Sequence, residues 1–522
     1  MVESTAPQTK SEAKKKAGGK KFLVHIDNSS HVKPLLEILI KENATWQETL
    51  SDKDWRLKWV SCNADDEELV ALLSGKDKMV NRYPDAKKLA HKDTFSQMTK
   101  IAQLIDREAF SFIPPTFTLP SKFDAKRLDE YMCQNKGVTY IAKPQVGAQG
   151  DGMALFKEFR ELPYSMEGKD VVVQRYLDRP LLMDQLKFDL RVYVVLIGIG
   201  ESIKAYICDD GLARFCTVSP SFFLTSSLSL LQTKYEKPTK SNFKQAYMHL
   251  TNYSVQKMSE AYIRPSAEDI LKENNATKRT ITSLIASMKR KGIDSDEVWR
   301  SVREACTRTM QFYIPMLQHT WNLKTDNKNV QGKPFQVLGL DLLIDSDLKA
   351  WLLEINDHPS LNIYFDTSVM GGPKMTEEDI EHLDLYVKSR LTTDSILLAK
   401  KKDISSVEQF NSLSQIYPSS EDEGAEVNRI MCDLQKLFYK SAKLRQKHQV
   451  SSQAFEKLAE HAFFKKLDLK KVDLSLSFQA ATNNAKAVEF LDFCEMMHKF
   501  YQTKVEPTGT VDFHGLITCL LE

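Results

Sequence analysis

The sequence predicts an α+β protein of several packed units, and three observations carry that expectation. The chain has 522 residues, several times the usual domain length. From about 171 to 215 it is β-rich, in runs such as VVVQ, FDLRVYVVLIG and IKAYIC. Farther on, Ile281, Leu284, Ile285 and Met288 fall at i, i+3, i+4 and i+7, and Val298, Trp299, Val302, Cys306 and Met310 continue the helical spacing.

Residues 1–20 are rich in Lys, Ala, Ser and Gly, a composition that cannot offset the entropy of ordering, so they read as a flexible basic tail. Phe22–Ile26 reads as a buried strand and Val32–Ile40 as a helix, which predicts a small N-terminal α/β unit over 21–100. Turns at Pro114, Pro115 and Pro120 precede a helix near 123–135 and a strand at Val138–Ala142. FQVLGLDLLI and AWLLEI flank Asp345–Lys349 as the strands of a hairpin. Residues 400–425 have the composition of a linker, from Lys400, Lys401 and Lys402 to Pro418, Ser419 and Glu421, and 426–522 reads as an appended helical region.

Lys plus Arg (72) nearly balances Asp plus Glu (70), so no global field favours nucleic acid or an acidic partner, and any electrostatic recognition must be local. Eight cysteines stand singly, with no C-x-x-C pair and no zinc spacing, which fits a reduced, cytoplasmic setting. Lys14, Lys15, Lys16, Lys20 and Lys21 precede any apolar stretch, so no secretory leader is expected. No segment approaches the roughly 18 consecutive apolar residues of a membrane helix. The expectation is a monomer with no membrane and no nucleic-acid partner.

Chemistry concentrates in three places. In K-F-D-L-R, Lys187, Asp189 and Arg191 share one strand parity, opposite to Phe188, Leu190 and Val192; that charged face is either solvated or a site. In the hairpin, Asp341 shares its face with Phe335, Val337, Gly339 and Leu343, and a buried Asp needs a partner. Glu354 and Asn356, two apart on the returning strand, add hard oxygens that suit magnesium; a lysine or backbone amides holding the carboxylate is the plainer alternative. Finally, Lys143 opens K-P-Q-V-G-A-Q-G-D-G, whose glycines let backbone amides approach phosphate, although the pattern is neither a P-loop nor a Rossmann fingerprint.

Taken in order, N-R-Y-P…L-A-H-K-D, K-P-x5-G-x-G, Q-R-Y-L, K-F-D-L-R-V-Y, G-L-A-R-F, H-L-T-N-Y-S-V-Q-K and D-L-L-I-D…W-L-L-E-I-N resemble the tubulin tyrosine ligase-like enzymes from about Asn81 to Asp394. The resemblance implies an ATP-grasp fold, with a central unit over 101–185 and a C-terminal unit carrying the magnesium site over 186–399. It implies ATP contacts by Lys143, Gln149 and Gly150, by Gln174, Arg175, Tyr176 and Leu177, by Lys187, Phe188 and Asp189, and by Thr251 and Asn252. Asp341, Glu354 and Asn356 would hold Mg2+. Arg191 and Arg214 would be catalytic, because a planar guanidinium suits charge on a transferring phosphate.

In glutamate-adding relatives the amino-acid site resembles Arg214, Tyr253, Ser254 and Lys278, for which loop packing and a solvated helix start are the alternatives. Lys257 reads as a support for its loop. The implied reaction forms an acylphosphate and then an amide between L-glutamate and tubulin, on microtubules of the cytoskeleton, axoneme or basal body. A glycine or tyrosine ligase, or a silent microtubule-binding protein, is the competing reading. Two residues depart from the family pattern: Asp151 in the glycine loop, and Asp357, which would repel or tune an acidic acceptor. The basic stretch Lys436, Lys440, Lys443, Arg445 and Lys447 is either a contact for an acidic surface or a solvated helix face. V-E-F-L-D-F-C-E-M-M and G-T-V-D-F-H-G-L resemble EF-hand loop exits without the calcium ligands.

Overall fold

The computed structural model describes residues 20–27, 32–119, 122–145, 152–166, 168–217, 234–325, 330–365, 379–418, 425–442, 449–482 and 485–521. Gln149, Gly150, Asp151, Lys443, Arg445 and Lys447 lie outside the described residues.

The chain opens with β1 (Phe22–Ile26), α1 (Lys33–Glu42), β2 (Trp46–Glu48), β3 (Leu57–Trp59), α2 (Asp66–Leu72) and β4 (Met79–Val80), followed by α3 (Ala86–Ala90) and α4 (Lys92–Ile105). Pro34 at the start of α1 leaves no needed N–H unpaired, and the Asp65 side chain caps α2 by accepting from the Glu68 N–H. Next, β5 (Thr116–Leu119), α5 (Lys122–Gln134), β6 (Tyr140–Pro144), β7 (Ala154–Phe156) and β8 (Val171–Arg175) build a four-stranded antiparallel sheet in the order β5-β8-β6-β7. Its own small core contains Phe117, Leu128, Tyr140, Phe156 and Val173.

A second, 13-stranded sheet dominates the molecule. It gathers β9 (Leu182–Met183), β10 (Leu186–Ile197), β11 (Lys204–Cys208) and β12 (Leu212–Phe215), then, after α6 (Ala246–His249) and α7 (Tyr253–Gln256), β13 (Lys278–Thr280). Helices α8 (Ile281–Arg290) and α9 (Ser295–Thr325) follow the two predicted helical patterns. The predicted hairpin is β14 (Lys333–Ile344) and β15 (Ala350–Asn356). β10 and β14 run antiparallel from Leu190↔Leu342 to Ile197↔Phe335 and form the spine of the sheet. Their even-numbered residues, Phe188 to Leu196 and Leu338 to Ile344, enter one core with α9; the odd-numbered Tyr193, Val195, Ile197, Phe335 and Val337 enter a second core with α1 and α10 (His382–Ala399). Both faces of β10 are therefore covered.

Two boundaries differ from the sequence expectation. The N-terminal strands do not close a separate unit: β4 pairs in parallel with β3 on one side and β14 on the other, extending the large sheet. A two-residue strand is too short to show a period. The stretch read as a linker over 400–425 holds β16 (Gln409–Phe410) and β17 (Leu413–Tyr417), and β17 pairs with β11 at the sheet edge. There Leu413 and Ile416 are buried and Ser414 and Gln415 are not, which breaks the alternation that marks a strand.

The C-terminal region comprises α11 (Ala425–Ala442), β18 (Val450–Ser451), α12 (Ser452–Glu456), α13 (Ala462–Lys466), α14 (Lys471–Thr482), β19 (Ala487–Val488), α15 (Phe490–Phe500) and α16 (Phe513–Leu521). β18 and β19 pair at two helix starts, and β19 ends at the first residue of the V-E-F-L-D-F-C-E-M-M segment. The region shares the core that holds α9: Phe438 meets Phe490 and Phe493 edge-on at 5.4 Å, and His319 of α9 stacks on Phe490 at 4.4 Å. Pro315 inside α9 removes the N–H that would reach the Gln311 carbonyl, and Asn428 of α11 supplies a donor there at 3.2 Å. Lys436 pairs with Asp433, and Lys440 donates to the carbonyls of Leu520 and Leu521. Among the described residues no helix is long and apolar enough to cross a membrane.

Candidate active site

The two sheets meet across a half-open cleft with about 580 Å³ of space, part of it open to solvent. From the small sheet, Ile141 and Lys143 of β6 and Gln174 and Arg175 of β8 reach into it, with Tyr176 and Leu177 just beyond. From the large sheet come Lys187 and Asp189, Arg214, Asp341 and Glu354, and the segment after α6 adds Leu250, Thr251 and Asn252. Of the strand-parity neighbours read from the sequence, Lys187, Asp189, Asp341 and Glu354 share this surface, whereas Arg191 and Asn356 are not among its lining residues. Ile141, Met153, Leu343 and Leu353 give the cleft an apolar wall that the sequence reading missed. The signal for two of them was parity: Ile141 is two from Lys143, and Leu343 two from Asp341.

The charged face of β10 is buried, not solvated. Asp189 opposes Arg214 in register and accepts two hydrogen bonds from its guanidinium, at 2.8 and 2.6 Å. The Thr251 hydroxyl donates to the same carboxylate at 2.5 Å. Arg191 opposes Asp341 and grips it with both Nε and Nη2, and Arg214 Nη2 reaches Asp341 at 2.9 Å. Burial alone would raise the Asp341 carboxyl; Arg191 and Arg214 outweigh it and hold the group well below the usual carboxylate range. Two cations and two anions thus alternate across three strands.

Lys187 donates to the Tyr176 hydroxyl at 2.8 Å and to the His249 carbonyl at 2.7 Å. Burial pushes its ammonium down to about 8, and burial with the nearby Lys187 charge pushes His249 down to about 4. Lys143 donates to Gln174 at 2.9 Å; burial lowers it too, against the opposing pull of Glu354 and Asp341. Positive charge held this far from water suits an anion with several oxygens.

Asp341 and Glu354 face each other in register, and Asn356 opposes Gly339 two positions on. A β-bulge between Asp341 and Leu342 re-aims the strand at this point. The donor set is two carboxylates and an amide oxygen, which fits a hard divalent cation. Glu354 makes no side-chain hydrogen bond among the described residues, so it is available for one. Asn356 donates weakly to the Gly339 carbonyl at 3.4 Å.

Other expected residues stand differently. The Phe188 side chain is fully buried on the opposite face, stacked on Phe215 at 5.3 Å, so only its backbone can serve the cleft. Lys278 is neither a solvated helix start nor an open cation: it lies on β13 opposite Arg214, buried between Asp384 (2.7 Å) and Glu381 (3.0 Å), over the Tyr253 ring. Those partners lie about a hundred residues farther along the chain, beyond the reach of a local sequence pattern. The Tyr253 hydroxyl is buried without a hydrogen-bond partner among the described residues, and Ser254 sits beside it on α7. Asp357 is not an open carboxylate; it is buried against Arg82.

A sequence model of the Tubulin-tyrosine ligase family matches residues 70–368. The chain is 29% identical over 353 residues to tubulin polyglutamylase ttll6 of Danio rerio, covering 67% of this chain and 39% of that protein. It is 28% identical over 382 residues to tubulin polyglutamylase TTLL6 of Mus musculus, covering 72% and 41%. With tubulin polyglutamylase TTLL11 of Homo sapiens the identity is 30% over 313 residues, covering 58% and 41%. The chain spans about two-fifths of the length of these relatives.

The packing beside Asp341 gives a test of the site's construction. A Cβ on Gly339 would stand 2.8 Å from Arg191 Cδ and 2.9 Å from Pro359 Cβ. Gly339→Ala is expected to destabilise the protein by about 1–3 kcal/mol in urea unfolding. Unchanged stability would mean that Arg191 does not lie across this strand.

Proposed function

The chain belongs to the tubulin-tyrosine ligase family, and from that premise we propose that it is an ATP- and Mg2+-dependent ligase joining L-glutamate to glutamate side chains or chains on tubulin tails. One observation carries the reading: the lysines, arginines and carboxylates of five separated motifs converge on one cleft between two sheets. That arrangement supports an ATP-grasp fold with the nucleotide between the sheets. The choice of glutamate and tubulin is supported by the relatives, which are polyglutamylases.

In this reading Ile141, Met153, Leu343 and Leu353 enclose the flat, apolar part of ATP, and Lys143 and Lys187 meet its phosphates. Asp341, Glu354 and Asn356 hold Mg2+, which when bound neutralises phosphate charge. The acceptor carboxylate attacks the γ-phosphorus, ADP leaves, and an acylphosphate forms. The α-amine of the incoming glutamate then attacks the acyl carbon, phosphate leaves, and the amine proton goes to solvent or phosphate. Arg191 and Arg214 donate to the oxygens on which charge develops, which requires them to exchange part of their hold on Asp341. The buried Tyr253 hydroxyl, without a hydrogen-bond partner among the described residues, would donate to the incoming amino acid, beside a Lys278 already held by Glu381 and Asp384. The enzyme acts at the microtubule surface of the cytoskeleton.

Radiolabelled glutamate, glycine and tyrosine offered with ATP, Mg2+ and microtubules test the reaction. Glutamate alone should be incorporated, and Glu354→Gln should lower the rate on the order of 10²–10³-fold. No incorporation of any amino acid would favour a silent microtubule-binding protein or another acceptor.

The lysine in the cleft sets a pH dependence. Burial pushes folded Lys187 down to about 8 from the 10.5 of the free side chain, against the opposing pull of Cys216 and Asp189, and a bound anion would favour the ammonium further. Calorimetric affinity for a non-hydrolysable ATP analogue should be level below about pH 8 and weaken above it, by up to about tenfold per pH unit. An affinity that stays level to about pH 9.5 would remove Lys187 from the phosphate site.

A further inference from the structure

The strand that carries Asn356 is tied to the N-terminal part of the chain at the very next residue. Asp357 is buried, and its carboxylate accepts from Arg82 Nη1 at 3.1 Å while its other oxygen lies 2.7 Å from His358 Nδ1. Its backbone carbonyl is gripped as well, by Gln336 Nε2 at 2.6 Å. Gln336, on β14, in turn accepts the Tyr83 N–H at 3.0 Å. The segment that supplies Arg82 and Tyr83 is itself anchored: Asn81 accepts the Val60 N–H at 2.8 Å, and the Tyr83 hydroxyl donates to the Gly198 carbonyl at 2.6 Å.

A carboxylate this deep in the protein needs a cation, and removing one partner of a buried pair leaves a costly charge behind. Here the pair does more than neutralise. With both the side chain and the carbonyl of residue 357 held, the chain is anchored one residue beyond Asn356, which pairs opposite Gly339. Without those contacts the end of β15 would have only its ladder to fix it, and the Asn356 amide only the long bond to Gly339.

We propose that Arg82 and Asp357 are positioning residues that hold Asn356 in place for the divalent cation, linking the placement of the N-terminal segment to the metal site. The inference rests on the reading of Asp341, Glu354 and Asn356 as metal donors. Outer partners of metal ligands are typically worth 10–100-fold in metal affinity.

The test uses the full chain with Mn2+ as the probe and a non-hydrolysable ATP analogue, reading free Mn2+ by electron paramagnetic resonance. Asp357→Asn should weaken Mn2+ binding about tenfold while leaving metal-free analogue affinity unchanged, and Arg82→Lys, which keeps the charge, should weaken it less than Arg82→Met. Melting temperatures of all variants are measured alongside. Variants that melt lower but bind Mn2+ like the wild type would make the pair merely structural and overturn the proposal. Glu354→Gln separates the two layers of the argument. If it weakens Mn2+ binding and Asp357→Asn does not, positioning fails and the metal site stands; if Glu354→Gln has no effect, the metal reading fails and the proposal falls with it.

Discussion

Asp341 lies between Arg191 and Arg214, and Arg214 holds Asp189, so that alternating charges cross β14, β10 and β12 with almost no access to water. Moving such ions out of water costs several kcal/mol each, and their mutual attraction repays it only with near-ideal geometry. Well-packed apolar residues would make a sheet at least as stable at these positions. The cluster is thus poor evidence for stability and good evidence for a site, since perturbed, buried charges gathered in a cleft mark functional positions.

Much of the architecture keeps this arrangement rigid. The spine strands are covered on both faces: their even rows pack on α9 and the C-terminal helices, and their odd rows on α1 and α10 until the charges begin. Side chains in such a core interdigitate at close to crystal density, so the backbone beneath the charges has little room to shift. Gly339 leaves the gap through which Arg191 reaches Asp341. The C-terminal region belongs to the same construction, because Asn428 satisfies the carbonyl freed by Pro315 in α9 and Phe438 and Phe490 close its core.

The sequence made the charged row legible because strands alternate: Lys187, Asp189 and Arg191 could only share a face, and Asp341 could only share one with Val337 and Leu343. What it could not say was whether that face was wet. The answer lay in residues continuing the same row, Tyr193, Val195 and Ile197, which are apolar and buried. Partners far apart in sequence were also hidden. Lys278 finds Glu381 and Asp384, and Asp357 finds Arg82, through contacts spanning more than a hundred residues. The strand Leu413–Tyr417, between β11 and the short β16, escaped for a different reason, since its buried Leu413 and Ile416 are three apart and do not alternate. Motif order read the family from about Asn81 to Asp394, and the family model matches 70–368, while the field around each motif residue needed coordinates.

The central claim is that the buried Asp–Arg cluster belongs to the proposed phosphate and metal site. A crystal structure with Mn2+ and a non-hydrolysable ATP analogue tests it most directly. The account predicts an anomalous Mn2+ peak bound by Asp341 and Glu354 at roughly 2.0–2.2 Å, with at least one of Arg191 and Arg214 turned from Asp341 to the phosphate. A nucleotide bound elsewhere, or an Asp341 still gripped by both arginines with no metal beside it, would contradict the account.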